Sequence, residues 1–105
     1  MINQLILVGR LMNNLELKEI QNKKKVVITL GIPRSYRNTD GEYDTDFVSV
    51  TLLGQIAENT VEYCRKGDLI GIKGRLTRLN GEKMRVVAEK VTFLSSKRNE
   101  VKEND

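Results

Sequence analysis

The sequence YDTDFVSVTLL, from Tyr43 to Leu53, has the clearest two-residue period in the chain. Successive side chains of a β-strand point to opposite sides of a sheet, so Val48, Val50 and Leu52 share the side that faces a core. The opposite side carries a mixture of rings, hydroxyls and one leucine: Tyr43, Thr45, Phe47, Ser49, Thr51 and Leu53. The hydroxyls indicate that this side is at least partly wet, and rings on a wet surface are candidates for ligand contacts.

Two strands are predicted upstream of this stretch. Gln4–Leu11 is apolar, with Gly9 at a place where a barrel strand bends, and the alternation resumes over Leu15–Ile20. A polar turn is expected at Gln21–Lys25, and a second strand over Val26–Ile32. Proline donates no hydrogen bond to a strand ladder, so the next residue, a proline, is expected to end this strand. Residues 34–43 are then predicted to form a basic, polar loop.

A helix and two further strands are predicted downstream. The helix runs from Gln55 to Lys66, and the strands Leu69–Leu76 and Met84–Leu94 are joined by a tight turn at Asn80-Gly81. Three strands, a helix and two strands, with glycines where a small barrel must coil, predict an all-β fold. The predicted fold is a five-stranded OB-fold Greek-key barrel with one α-helix between strands 3 and 4.

The amino-acid composition limits the classes of function that the chain can have. The chain has 105 residues, 18 Lys and Arg against 14 Asp and Glu, and a formal net charge of +4, which mildly favours a polyanionic partner. It has no His and one cysteine, Cys64, which excludes Ser-His-Asp and Cys-His nucleophile pairs, an internal disulfide and the usual zinc ligand sets. Asp44 and Asp46 are too few for a metal site. We expect no catalysis, no metal and no cofactor.

The chain divides into two parts. Residues 1–96 are expected to form the folded domain and carry the whole net charge, and residues 97–105 a short disordered polar tail. The apolar start of the chain breaks at Gly9-Arg10, so neither a signal peptide nor a membrane contact is predicted. We therefore expect a cytoplasmic location.

Four motifs give the chain a resemblance to a known family. They are NQLILVGRL at residues 3–11, PRSYRN at 33–38, TDF at 45–47 and GIKGRL at 71–76. Respectively, they are similar to the opening strand, the loop of basic residues around an aromatic, the third strand and the fourth strand of bacterial-type single-stranded DNA-binding proteins. The resemblance runs from residue 2 to about residue 95.

The resemblance implies a nucleoid-associated homotetramer around which single-stranded DNA wraps, protecting it in replication, recombination or repair. In that family aromatic rings stack on bases, whatever the base, and cations neutralise phosphates. The stacking role falls by position on Tyr36, Phe47 and Leu53, with Tyr43 as a further candidate. The expected phosphate contacts are the cations on the strands and loops around Phe47: Arg10, Arg34, Arg37, Lys66, Lys73, Arg75, Arg78 and Arg85.

The sequence departs from the family pattern in three ways. It has no Trp, its hairpin at Leu79–Glu82 is short, and residues 100–105 lack the acidic run ending in Pro-Phe by which many members recruit other enzymes. We therefore expect a short accessory member, of phage, plasmid or competence type, that does not recruit enzymes through a C-terminal tip. Two alternatives stay open: a dimeric primosomal-type OB-fold protein of replication restart, and a nonspecific single-stranded RNA binder.

Overall fold

The computed structural model describes residues 1–95, which contain six β-strands and one α-helix. In chain order these are β1 (Leu5–Leu11), β2 (Lys18–Ile20), β3 (Lys23–Arg37), β4 (Tyr43–Leu53), α1 (Gln55–Tyr63), β5 (Leu69–Asn80) and β6 (Lys83–Ser95). The predicted polar tail, residues 97–105, lies outside the described residues.

Five of the strands close into a barrel. β1 pairs with β5, β5 with β6, β6 with β4, β4 with β3, and β3 returns to β1. These pairings are antiparallel except that of β4 with β6, where Val50 lies beside Val86. The short strand β2 pairs with β3. Since α1 connects the third and fourth strands of the barrel, the predicted OB-fold barrel is confirmed.

The barrel interior follows the two-residue period of the strands. Each barrel strand contributes side chains to one apolar cluster: Leu11, Val26, Ile28, Leu30, Val50, Leu52, Ile70, Ile72, Val86 and Ala88. The helix packs against β3, β4 and β6 and buries Ala57 and Thr60 almost completely. The core side of β4 is therefore the predicted one.

Glycine permits the barrel to close where β1 meets β3. Arg10 and Leu11 pair with Gly31 and Leu30. A Cβ atom on the neighbouring Gly9 would lie 2.7 Å from the backbone oxygen of Gly31, too close without a shift of one strand. The two backbones therefore lie directly against each other at this point.

One edge of β3 pairs with β1 and, further along, with β2. Between these two segments the edge is hydrogen-bonded by the Asn13 side chain rather than by a strand. The Asn13 amide Nδ2 donates to the Val27 carbonyl at 3.2 Å, and the Thr29 backbone N–H donates to Asn13 Oδ1 at 2.8 Å. Backbone groups of a strand need such partners wherever water does not serve. Asn13 thus continues the hydrogen bonding of this edge of β3.

The hairpin between β3 and β4 is longer than predicted. The expected strand end at Pro33 and the expected loop over residues 34–43 are wrong, because β3 runs through Pro33 to Arg37 and β4 begins at Tyr43. The pairing of β1 with β3 reaches only Gly31, so Pro33 lies where one edge of β3 has no partner among the described strands, and its missing N–H costs little there. A two-stranded ribbon therefore extends beyond the barrel.

The predicted turn before β3 is also shorter than expected. It consists of Gln21 and Asn22, with φ values of 53° and 65°, the left-handed pair of a two-residue type I′ turn. Lys23–Lys25, expected in the turn, begin β3 instead. Of the stretch predicted to alternate before the turn, only Lys18–Ile20 forms a strand.

The helix ends earlier than predicted, at Tyr63 rather than Lys66. Cys64 is extended, although its N–H still bonds to the Thr60 carbonyl at 2.9 Å. The chain then turns through Asp68, whose buried carboxylate accepts the Arg65 backbone N–H at 2.9 Å. This turn leads directly into β5.

Replacing Gly9 by alanine is expected to destabilise the fold by about 1–3 kcal/mol, since the added methyl group meets the backbone of β3. Gly71→Ala is the matched control, because the nearest atom to a Cβ there is 3.7 Å away, an ordinary contact. Urea unfolding of both variants and the parent measures the difference. Equal losses in the two variants would contradict the close approach of β1 and β3.

Candidate nucleic-acid interface

The outward side of β3 and β4 is the candidate binding surface, called the outer face below. Residues directly opposite each other in an antiparallel pair share a side, and Phe47 lies opposite Gly31 while Leu53 lies opposite Lys25. The Phe47 side chain is 64% exposed, and Leu53 is also exposed. The sequence placed both residues on this wet side, and the structure places them there.

One methionine that sequence reasoning missed lies beside the Phe47 ring position. A Cβ on Gly31 would lie 2.9 Å from Met12 Sδ, so the Met12 side chain occupies the space left by the glycine. Met12 is itself exposed. Because Gly31 and Phe47 are direct neighbours, the thioether and the ring form an adjoining apolar surface. No pattern in the sequence marks Met12, since its place follows from the meeting of β1 with β3.

Predicted cations on β1 and β6 flank the outer face on either side of Phe47. Arg10 is opposite Gly31, so it faces outward two strands away from Phe47. On the other side, β4 runs beside β6 with Thr51 next to Val87, which puts Arg85 on the same face. Arg85 Nε donates to Thr77 Oγ1 at 3.3 Å. Arg75 pairs with Val87, so it also faces outward.

Thr51 has a buried side chain although it belongs to the outer face. The expectation that it lies on a wet surface is wrong, since its side chain is only 6% exposed. Its direct neighbours are Val27 on β3 and Val87 on β6, so it lies in the middle of three paired strands. The outer face is thus covered at Thr51, whereas Phe47, Ser49 and Leu53 on the same side of β4 are exposed.

The ribbon beyond the barrel carries the two remaining predicted stacking residues. Tyr36 on β3 and Tyr43 at the start of β4 are both exposed. The Arg37 guanidinium lies 5.4 Å from the centre of the Tyr43 ring, a cation–π distance. Arg37 and Tyr43 are also register partners, so the contact follows from the pairing of the strands.

Arg34 is the predicted phosphate contact with the strongest partner inside the protein. Its Nη2 and Nε donate to the Asp46 carboxylate at 2.9 and 3.2 Å, and its Nη1 lies 3.8 Å from Asp44 Oδ2. The hydrogen bond to Asp46 raises the pKa of Arg34, and the hydrogen bond from Arg34 holds the pKa of Asp46 below its ordinary value. Arg34 is therefore a paired cation.

The other predicted cations occupy different surroundings. Arg75 Nε lies 3.6 Å from Glu89, and Lys73 pairs with Ile6 on β1. Arg78 has the opposite parity to Arg75 and lies with Met84 on the other side of the β5–β6 hairpin. Lys66 is exposed in the turn before Gly67, whose carbonyl accepts Arg10 Nη1 at 3.0 Å.

Residues 1–95 contain neither a metal-binding cluster nor a membrane-spanning helix. No three side chains of the His, Cys, Asp and Glu types come together closely enough to hold a metal ion there. In the same range no helix has the length and apolar character needed to cross a membrane.

Comparison with known proteins decides the family. The family model described as "Single-strand binding protein family" matches residues 2–97. The chain belongs to the single-strand binding protein family. The family predicted from the sequence motifs is confirmed, and with it single-stranded DNA binding as the activity to be explained.

Curated relatives agree with this assignment. Single-stranded DNA-binding protein 1 of Clostridium acetobutylicum is 36% identical over 110 residues, covering 95% of this chain and 100% of the relative. Single-stranded DNA-binding protein B of Bacillus subtilis is 43% identical over 77 residues, covering 72% of this chain and 68% of the relative. Single-stranded DNA-binding protein 2 of Staphylococcus aureus is 38% identical over 106 residues, covering 92% and 75%.

The ion pair between Arg34 and Asp46 makes a pH-dependent prediction. The Asp46 carboxyl is expected to titrate below its ordinary pKa, and Arg34→Gln is expected to move that pKa upward, because the main cause of the shift is removed. A depressed carboxyl pKa stabilises the fold above the unfolded value and loses that effect as the pH falls through the folded value. Carboxyl ¹³C shifts followed by NMR measure both midpoints, and the same midpoint in both proteins would contradict the pair.

Proposed function

We propose that the outer face binds single-stranded DNA without regard to sequence and performs no chemistry on it. The observation that supports this most directly is the row Arg10, Gly31 and Phe47, in which an exposed ring and a cation are separated by a residue without a side chain. A base can stack on the Phe47 ring, and its phosphate can then contact Arg10 or Arg85.

The chemistry of this face explains why the base identity does not matter. Stacking of a base on an aromatic side chain contributes about 1–3 kcal/mol and uses the π-face that every base has. Phosphate contacts hold the strand in position but carry no sequence information. Phe47 and Met12 thus hold bases at one end of the face, and Leu53 gives an apolar contact, without stacking as a ring does, at the other.

The proposed role is protection of exposed strands during replication, recombination or repair. This is a binding role, and we propose that the protein performs it in the cytoplasm, at the nucleoid. Tyr36 and Tyr43 extend the stacking surface along the ribbon beyond the barrel, with Arg37 beside them.

Phe47→Ala is expected to weaken binding of oligo(dT) by about 5- to 150-fold, the equivalent of one lost stacking contact of about 1–3 kcal/mol. The thermal midpoint of unfolding is expected to change little, because the ring is largely exposed. Tyr63→Ala is the control, since it removes an exposed ring that packs on Phe93 beside the helix rather than on the outer face. Fluorescence titration gives the affinities.

The same titration tests the proposal as a whole. Raising the salt concentration is expected to lower the affinity of the parent chain, by about 0.7 log units per log unit of salt for each phosphate neutralised. Competition of poly(U) against poly(dT) separates DNA from RNA binding, and preference for poly(U) would favour the RNA alternative. A parent chain that does not bind oligo(dT) in dilute buffer would contradict the proposed function.

A second surface supports self-association as part of this function. Ile6, which is 70% exposed, and Val8 lie on the outward side of β1, and Leu94 reaches within 3.7 Å of a Cβ position on Gly71, the partner of Val8. From Leu5 to Val8, β1 pairs with β5 on one edge only, as far as the described strands go. This face is apolar except for Lys73, which lies opposite Ile6, and such a face next to an open strand edge suits a second copy of this chain.

Ile6→Lys is therefore expected to reduce the oligomer mass measured by light scattering, because a charge would be buried between copies. Ile20→Lys, at an exposed isoleucine on β2, is the control and is expected to leave the mass unchanged. The mass of the parent chain also separates a tetramer from the dimer of the primosomal-type alternative. A monomeric parent, or an Ile6→Lys variant of parental mass, would contradict the proposed surface.

A further inference from the structure

The ribbon of β3 and β4 holds one cation between two carboxylates at the place where the DNA strand is proposed to continue from the barrel. Arg34 uses both atoms of its side edge, Nε and Nη2, for Asp46. Its third nitrogen, Nη1, is 3.8 Å from Asp44. The Nε and Nη2 donors of the guanidinium are therefore already bonded to one carboxylate, and Nη1 lies within ion-pair distance of a second.

The second carboxylate is held in place by the turn of the ribbon. Asn38 Nδ2 donates to Asp44 Oδ1 at 3.0 Å, and Asn38 Oδ1 accepts the backbone N–H groups of Asp40 and Glu42 at 2.9 and 3.0 Å. Asp44 is thus attached to a hydrogen-bonded turn rather than free to swing away. A phosphate that approached Arg34 would meet two fixed negative charges around one positive charge.

We infer that Asp44 and Asp46 exclude phosphate from Arg34, so that the sugar-phosphate backbone of bound DNA passes elsewhere on the ribbon. This inference rests on the proposed function. The carboxylates match a phosphate in charge and in the two-pronged geometry that a guanidinium prefers, so they occupy the site that a phosphate would take. Arg34 is then a structural cation of the ribbon, and Asp46 determines the path of the strand.

The inference predicts that removing a negative charge adds a phosphate contact. Asp46→Asn is expected to bind oligo(dT) several-fold more tightly at low salt and to steepen the log–log salt dependence by about 0.7, the contribution of one phosphate. In an Arg34→Gln background the same substitution is expected to change neither quantity, because the cation that it frees is absent. Asp44→Asn added to Asp46→Asn is expected to increase the gain.

The control for general charge effects is Asp40→Asn, which removes the same charge from the same ribbon without contacting Arg34 through its side chain. It is expected to leave the salt dependence unchanged. Circular dichroism and thermal unfolding check that each variant is folded, which is expected because the substituted side chains are exposed.

Each result of this double-mutant comparison decides the matter. An unchanged salt dependence or weaker binding in Asp46→Asn would overturn the inference, as would a gain that persists in the Arg34→Gln background or appears equally in Asp40→Asn. These results leave the proposed function intact as long as the parent chain binds oligo(dT). A parent chain that does not bind would overturn both.

Discussion

The close approach of β1 and β3 is the constraint on which the rest of this structure depends. The backbones at Gly9 and Gly31 lie so near each other that a methyl group would separate them, and their contact completes the barrel. A second missing side chain, that of Gly31, leaves an open space on the outer face. Met12 enters that space, and Phe47 stands next to it. Two glycines at the meeting of β1 and β3 therefore act together: Gly9 lets the barrel close, and Gly31 shapes the surface proposed to bind.

The local pattern of apolar and polar residues predicted much of the fold and which side of β4 is exposed. Val48, Val50 and Leu52 fix which side of the strand is buried, and Phe47 must then face outward, because parity leaves no other choice. Thr51 has the same parity and is nevertheless buried, since it lies between β3 and β6. Neighbours brought together by long-range pairing cannot be read from a two-residue period.

The role of each cation depends on register in the same way. By charge alone, Arg10 and Arg34 are equivalent candidates for phosphate contact. In the fold, Arg10 lies opposite Gly31 and donates to the Gly67 carbonyl, whereas Arg34 is held by the Asp46 carboxylate, because β3 continues past Pro33 and brings the two side chains together. Proline predicts a strand end only where both edges of the strand are paired. The length of the ribbon, and with it the pairing of Arg34, could therefore not be predicted from the sequence.

The amide of Asn13 also limits how this chain associates with others. Val27 and Thr29 would otherwise present an unpaired carbonyl and N–H along the edge of β3, which is a template for a foreign strand. A side chain satisfies these groups as a strand would, but it offers no further edge of its own. Strand addition by another molecule is thus blocked at this seam, so the barrel does not provide there a starting point for fibrous aggregation.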